Sequence, residues 1–125
     1  KKCEDAGIKV KTMFIIGNPE DTKDTVIQSI EYSKYLPSLY SQFSVFTPYP
    51  GTPVYNDFKD IITETKLENF NQYNLTFDHK NLTNNDISEL KSLAYFKFYF
   101  NFKKIIQVLK YFIQSKYEKV HKRMG

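Results

Sequence analysis

The stretch Met13-Phe14-Ile15-Ile16-Gly17-Asn18-Pro19-Glu20-Asp21 is the most informative in the chain, because an apolar run breaks on a glycine and then turns polar. This pattern is typical of a buried parallel strand that ends in a ligand-facing loop. The same pattern recurs further along the chain, where residues 42–47 are followed by Pro48-Tyr49-Pro50-Gly51-Thr52. Two such strands joined by a helix form a βαβ unit. Ligands of α/β sheets and barrels lie at the carboxyl ends of these strands.

The residues around the two loops predict the elements of this unit. Residues 8–16 and 40–47 predict strands, and the nearly continuous apolar character of the first favours a strand covered on both faces. A helix is predicted over 23–36, because apolar residues recur there with a helical period. Asp21 or Thr22 is expected to cap its first turn.

The second half of the chain is predicted to be mainly helical. A short helix is predicted around 54–59 and a short strand over 73–77. Thr83 is expected to cap a helix together with Asp86, as an acidic variant of the capping box. A final helix is predicted from about Asn101, with one apolar face that is expected to pack on the domain. That face contains Phe102, Ile105, Ile106, Leu109, Phe112, Ile113, Tyr117 and Val120.

Composition sets the broad class of the protein. A length of 125 residues suits one domain or part of one. No apolar run approaches the roughly 18–20 residues that span a bilayer, so no transmembrane segment is expected. The single cysteine excludes an internal disulfide and favours a reducing compartment, so we expect a cytoplasmic location. The net charge of +4 comes from residues 101–125, which carry seven Lys or Arg and one Glu.

The first residues predict the end of a helix, a glycine C-cap at Gly7 and the entry to a strand. We therefore expect a C-terminal piece of a longer protein, with the missing N-terminal part as its partner. Two parallel strands alone would expose unpaired sheet edges. The isolated chain is accordingly expected to self-associate through those edges, or to be marginally stable.

The two loops together resemble the fifth- and sixth-strand regions of radical S-adenosylmethionine (SAM) enzymes. The matching residues are Ala6-Gly7-Ile8, Phe14-Ile15-Ile16-Gly17-x-Pro19-x-Asp21-Thr22 and Gln42-Phe43-Ser44-x-Phe46-Thr47-Pro48-Tyr49-Pro50-Gly51-Thr52-Pro53-x-Tyr55. The most similar subgroup often carries an upstream cobalamin-binding domain. The resemblance implies an α/β fold: a partial (β/α) barrel fragment, a βαβ unit, over 1–60, followed by a mostly helical C-terminal extension over 61–125.

The resemblance also implies a chemistry, the reductive cleavage of SAM at a [4Fe–4S] cluster. Cys3 has no companion thiolates, so this chain alone is expected to be inactive and to hold no metal. The intact protein would use SAM, the cluster and, in that subgroup, cobalamin. The resemblance leaves open whether the substrate is a small molecule or a macromolecule. It also leaves open whether the reaction is methylation, methylthiolation, ring formation or rearrangement.

The family's adenine-binding pattern reads here as Met13-x-Ile15-x-Gly17-x-x-Glu20, with Met13 in place of the family's first glycine. The resemblance implies an apolar contact from Ile15 and a close backbone approach at Gly17. The implied cofactor-binding residues are Ile15, Gly17, Asn18, Glu20, Thr47 and Tyr49.

Other interpretations of these residues stay open. Glu20 and Asp21 could simply favour the positive end of the following helix. His79 and His121 have no ligand spacing around them, so a metal role is not expected. The alternative function is a non-catalytic interaction module, in which the basic amphipathic C-terminal helix binds anionic lipid or RNA.

Overall fold

The computed structural model describes residues 2–121, without the side chains of residues 4, 5, 103 and 114–121. The chain is mixed α/β, with two strands and mainly helical structure around them. The elements are α1 (Lys2–Asp5), β1 (Lys11–Ile16), α2 (Lys23–Ser33), β2 (Tyr40–Val45), α3 (Pro53–Phe58), two single 3-10 turns (Lys59–Ile61 and Leu67–Asn69), α4 (Asn84–Tyr99) and α5 (Phe102–His121).

The two strands pair in parallel and are joined by α2, which confirms the predicted α/β class. Lys11 lies opposite Tyr40 and Ile16 opposite Val45, so the strands start and end together. One further bond extends the ladder, because the Phe46 N–H donates to the Ile16 carbonyl oxygen over 2.8 Å. The loops that follow the strands therefore begin side by side.

The hydrophobic core lies between one face of the sheet and the helices α2 and α4. Alternate residues of a strand point to opposite faces, and Ile16 and Val45 point towards the helices. Residues from both halves of the chain meet there. The core comprises Ile16, Val26, Ile30, Phe43, Val45, Leu75, Phe77, Leu82, Ile87, Leu90, Ala94 and Phe98.

The expectation that the first strand is covered on both faces is wrong. Its residues alternate between exposed and covered positions, and Met13 and Ile15 are 66% and 59% exposed. The helices α2 and α4 pack on the opposite face, where Ile16 lies in the core. An apolar run cannot show this, because Met13 and Ile15 are as hydrophobic as the residues that enter the core.

In the described part of the chain, two tyrosine hydroxyls and one backbone carbonyl group, and not a third strand, bond to the outer edge of β2. The backbone N–H of Ser41 donates to the Tyr99 hydroxyl and that of Phe43 to the Tyr95 hydroxyl, each over 3.4 Å. The N–H of Val45 donates to the Gln72 carbonyl oxygen over 3.0 Å. This edge thus has its N–H donors satisfied at every second residue.

The outer edge of β1 is different. Val10 and Ile16 direct their carbonyl groups towards the neighbouring segment, since they accept from Leu39 and Phe46. In a parallel ladder the residues between them, Lys11, Met13 and Ile15, direct their backbone groups away. Within the described residues no third strand pairs with this edge.

Several predicted boundaries shift inward. The first strand begins at Lys11 and not at residue 8, and the helix predicted to residue 36 ends at Ser33. The strand predicted over 73–77 is reduced to one antiparallel bridge between Ile62 and Phe77, because asparagine-rich turns surround it. Thr22 caps α2 and Thr83 caps α4 with Asp86, as predicted.

The final helix is present, but its apolar face does not pack on the domain over residues 102–113. Phe102, Phe112 and Ile113 are all exposed there. A buried lysine, Lys104, attaches the start of α5 instead, and its Nζ donates to the Leu36 and Ser38 carbonyl oxygens over 2.6 and 2.5 Å. The expected contributions of Tyr117 and Val120 lie outside the described side chains.

Gly7 has φ +75°, and the Ile8 N–H donates to the Cys3 carbonyl oxygen over 2.8 Å, which confirms the predicted glycine C-cap. Among the helices described, none combines the length and the apolar character needed to cross a membrane.

Candidate functional site

The loops after β1 and β2 leave neighbouring positions at the carboxyl edge of the sheet. The hydrogen bond between Phe46 and Ile16 holds the two strand ends together. The first loop contains residues 17–21 and the second residues 46–52. All six predicted cofactor-binding residues therefore lie in these two loops or, for Ile15, one residue before the end of β1.

Gly17 turns the chain sharply at the end of β1. Its φ of +75° lies in the left-handed region, which side chains other than glycine rarely adopt. A Cβ atom here would lie 3.1 Å from Ile87 Cδ1 and 3.3 Å from Leu75 Cδ2. Both the backbone conformation and the close packing of Ile87 and Leu75 therefore favour glycine at this turn.

Asn18 and Asp21 close the first loop on itself. The backbone N–H and the Nδ2 of Asn18 both donate to Asp21 Oδ2, over 2.9 and 3.2 Å. Asp21 Oδ1 in turn accepts from the Thr25 hydroxyl over 3.2 Å. These bonds join the loop to the start of α2, so Asp21 organises the loop while Thr22 caps the helix.

His79 holds this loop from the other side. Its Nδ1 accepts hydrogen bonds from the backbone N–H groups of Asn81 and Leu82, both over 3.1 Å. The ring is therefore in the Nε2–H tautomer, and Nε2 donates to the Asn18 carbonyl oxygen over 2.8 Å. His79 is a positioning residue that sequence reasoning missed, since no spacing pattern links it to the loop 61 residues earlier.

The second loop is held by hydrogen bonds from the Thr47 side chain to backbone carbonyl groups. Thr47 Oγ1 lies 2.9 Å from the Asn71 carbonyl oxygen and 3.1 Å from that of Val45. Pro48 is buried, whereas Tyr49 is 46% exposed. The threonine hydroxyl is thus occupied in shaping the loop, and the tyrosine ring is left accessible.

The six predicted residues separate into two groups. Ile15, Glu20 and Tyr49 are exposed and can contact a ligand directly. Gly17, Asn18 and Thr47 are engaged in turns and hydrogen bonds that give the loops their shape.

A polar cluster on the open face of the sheet was not singled out from the sequence. Gln72 Oε1 accepts from the Ser44 hydroxyl over 2.8 Å and from Gln42 Nε2 over 3.1 Å. Lys11 Nζ donates to Gln42 Oε1 over 2.5 Å. The signal was present as alternation, because Gln42 and Ser44 are two residues apart in β2 and lie on the same face as Met13 and Ile15.

A cation lies close to this cluster. Lys91 Nζ donates to the Gln72 carbonyl oxygen over 3.3 Å and lies 4.7 Å from the centre of the Tyr73 ring. Burial lowers the pKa of Lys91, since desolvation disfavours its charged form. No group of three or more His, Cys, Asp or Glu side chains that could hold a metal ion occurs in the described part of the chain.

Comparison with known proteins shows three methyltransferases among the similar sequences. An uncharacterized methyltransferase of Pyrococcus horikoshii is 30% identical over 109 residues, 86% of this chain and 24% of the relative. Two enzymes of Chlorobaculum tepidum are similar over 75 residues. The bacteriochlorophyllide d C-8(2)-methyltransferase is 27% identical over 58% of this chain and 17% of the relative. The C-12(1)-methyltransferase is 25% identical over 60% and 16%.

The chain spans about a quarter or less of the length of these relatives. No family model matches it. The relatives correct the function expected from the radical SAM resemblance, because all three are named as methyltransferases and none as an enzyme of reductive SAM cleavage. The expectation of a [4Fe–4S] cluster and of cobalamin rested on that resemblance, and the comparisons do not support it. The alternative of a non-catalytic module built on α5 is not supported either.

Proposed function

We propose that this chain is part of a SAM-dependent methyltransferase, and that its paired loops form one wall of the ligand site. The observation that carries the proposal is the similarity to three proteins named as methyltransferases, one of them over 86% of the chain. The geometry supports it, because two parallel strands end side by side and their loops meet where α/β proteins bind ligands.

Bound SAM supplies an electrophilic methyl group on a sulfonium ion. In this proposal the exposed Ile15 side chain contacts a flat apolar ring such as adenine, and Tyr49 offers a second aromatic surface. The Glu20 carboxylate accepts hydrogen bonds from hydroxyl or amino groups. Gly17, Asn18 and Thr47 keep these three residues in position through the loop contacts described above.

The proposal includes a larger sheet. Lys11, Met13 and Ile15 direct backbone groups away from β2, so a preceding strand of the same protein is the natural partner of this edge. A partial (β/α) barrel over 1–60, followed by a helical extension over 61–125, is our proposal for this arrangement. A cytoplasmic location also belongs to it, since the lone Cys3 suits a reducing compartment.

The test uses the protein expressed from its full reading frame. SAM is titrated by calorimetry, and transfer of its radiolabelled methyl group to acceptors in a cell extract is followed. We expect saturable SAM binding and label in an extract component. Absence of SAM binding by a folded protein would overturn the proposal.

Two substitutions connect the activity to the loops. We expect Ile15→Ala to weaken SAM binding several-fold, because an apolar contact surface is removed. Ile61→Ala is the matched control, since Ile61 is also partly exposed but lies outside both loops. Equal SAM affinities of the two variants would separate Ile15 from the binding site.

A further inference from the structure

A cleft of about 490 Å³ runs along the outer edge of β2. Its size falls within the roughly 300–1,000 Å³ of small-molecule sites. Its walls come from three parts of the chain: the two strands, the 72–73 segment and α4. The lining side chains used below are Lys11, Gln42, Gln72, Tyr73, Tyr95 and Tyr99.

The polar cluster in this cleft presents hydrogen-bond donors. Gln72 Oε1 already accepts two hydrogen bonds, from Ser44 and from Gln42. The Nε2 of Gln72 is the donor end of the same amide. Lys11 adds an exposed ammonium group beside Gln42. The cluster thus suits a ligand group that accepts hydrogen bonds and carries negative charge.

Aromatic rings surround these donors. Tyr95 and Tyr99 are stacked, with ring centres 6.4 Å apart and planes inclined by 6°. Their hydroxyl groups bond to the β2 backbone, which fixes the orientation of the rings. Tyr73 is exposed, and Lys91 holds a position 4.7 Å from its ring centre. Flat, oriented rings favour a ligand that is itself planar.

We propose that this cleft binds a planar conjugated ring bearing a carboxylate or carbonyl group. The ring lies against the tyrosines, and Gln72 Nε2 and Lys11 Nζ donate to its acceptor group. The first residues of both strands, Lys11 and Tyr40, line this cleft, so it is a second site, separate from the loops at the carboxyl ends of the strands.

The test is a titration of the 125-residue chain with naphthalene-2-carboxylate, followed by NMR at the side-chain amides of Gln42 and Gln72. We expect saturable shifts at both amides. The matched probe, 2-(aminomethyl)naphthalene, has the same ring but a cation, and we expect no saturable shift with it. Equal binding of the two probes, or the absence of shifts at these amides, would overturn the proposal.

A substitution sharpens the test. Gln72→Glu keeps an oxygen for Ser44 and Gln42 but replaces the donor with a negative charge, so the carboxylate probe should bind about tenfold or more weakly. Gln28→Glu, on the exposed side of α2, adds the same charge elsewhere and should leave binding unchanged. Lys11→Met, at an exposed position, should weaken binding several-fold without removing the network around Gln72. Unchanged affinity in both Gln72→Glu and Lys11→Met would overturn the proposal.

The two proposals fail in different ways. SAM binding by the full-length protein, with no carboxylate binding in the cleft, would overturn the ligand assignment and leave the methyltransferase function standing. Binding of the carboxylate probe without SAM binding would overturn the methyltransferase function and support the cleft as a site for planar anions.

Discussion

The Nε2 atom of His79 lies 2.8 Å from the carbonyl oxygen of Asn18, across a separation of 61 residues. The other ring nitrogen accepts from two backbone N–H groups, so one side chain joins the first loop to the segment before α4. This contact places Asn18 and its neighbours relative to the core. The loop therefore depends on a residue far from it in sequence.

We expect His79→Phe to destabilise the protein by about 1–3 kcal/mol, because the ring still packs near Phe77 but its hydrogen bonds are lost. Urea denaturation measures the change, and amide hydrogen exchange should show faster exchange at residues 17–21. Lys80→Ala, at an exposed neighbouring position, is the control and should change neither quantity. Unaltered exchange in the first loop of the His79 variant would show that the contact does not hold that loop.

Gly17→Ala should be more costly than Gly51→Ala. Both glycines have positive φ, +75° and +87°, so both substitutions carry backbone strain of about 1–3 kcal/mol. Only at Gly17 does the added Cβ meet neighbours, with Ile87 Cδ1 at 3.1 Å, whereas Gly51 has open space. Chemical denaturation gives the free energy of unfolding of each variant. The difference between the two losses is the packing contribution at Gly17. Equal losses would mean that α4 relaxes away from the turn.

Asp86 should make stability depend on pH in the acidic range. A hydrogen bond from Lys23 and further ones from Thr83 lower the pKa of Asp86 from 3.8 to about 2. Since the folded pKa lies below the unfolded one, this stabilisation is present above pH 3.8 and is lost as the pH falls towards 2. Thermal melts of the wild type between about pH 2 and pH 6 should show this fall.

The matched variant is Asp86→Asn, in which the same pH profile should be flatter because the ionisable group is gone. Asp24→Asn removes an exposed carboxylate from the first turn of α2 and serves as the control. A profile of Asp86→Asn as steep as that of the wild type would assign the acid dependence to other carboxylates.

The tyrosines at the edge of β2 should limit self-association. In the double variant Tyr95→Phe and Tyr99→Phe, the N–H groups of Phe43 and Ser41 lose their acceptors, at a cost of about 1–3 kcal/mol. An edge with unpaired donors favours pairing with another chain. Sedimentation velocity should show more dimer or larger species than in Tyr32→Phe, whose ring is exposed on α2. An unchanged distribution would show that this edge is not the associating one.

Lys104 should determine whether α5 stays attached. Its ammonium donates to two carbonyl oxygens after α2, and its Nζ lies 4.7 Å from the centre of the Phe98 ring. We expect Lys104→Met to cost about 1.5–3 kcal/mol and to speed amide exchange at the start of α5. Lys110→Met, at an exposed position of the same helix, should have no such effect. If amide exchange at the start of α5 stays slow in Lys104→Met, another contact holds the helix.

The local chemistry of the chain was readable from its sequence. The βαβ order, the caps at Thr22 and Thr83 and the glycine C-cap at Gly7 follow from residue type and short spacing. The prediction of a strand over 73–77 is wrong, because alternation of apolar residues does not show whether a second strand is present to pair with them. The prediction that the apolar face of α5 packs on the domain is wrong over residues 102–113. An apolar stripe indicates a preference for burial without identifying what covers it.

The α/β class and the two loops at the carboxyl ends of neighbouring strands follow from the sequence alone, since both depend on local backbone preferences. The exposure of Ile15, the hydrogen bond of His79 to Asn18 and the contacts among Gln42, Ser44 and Gln72 are visible only in the folded chain. These features join residues far apart along the chain. Their meeting depends on how α2 and α4 pack on one face of the sheet, which no single segment encodes.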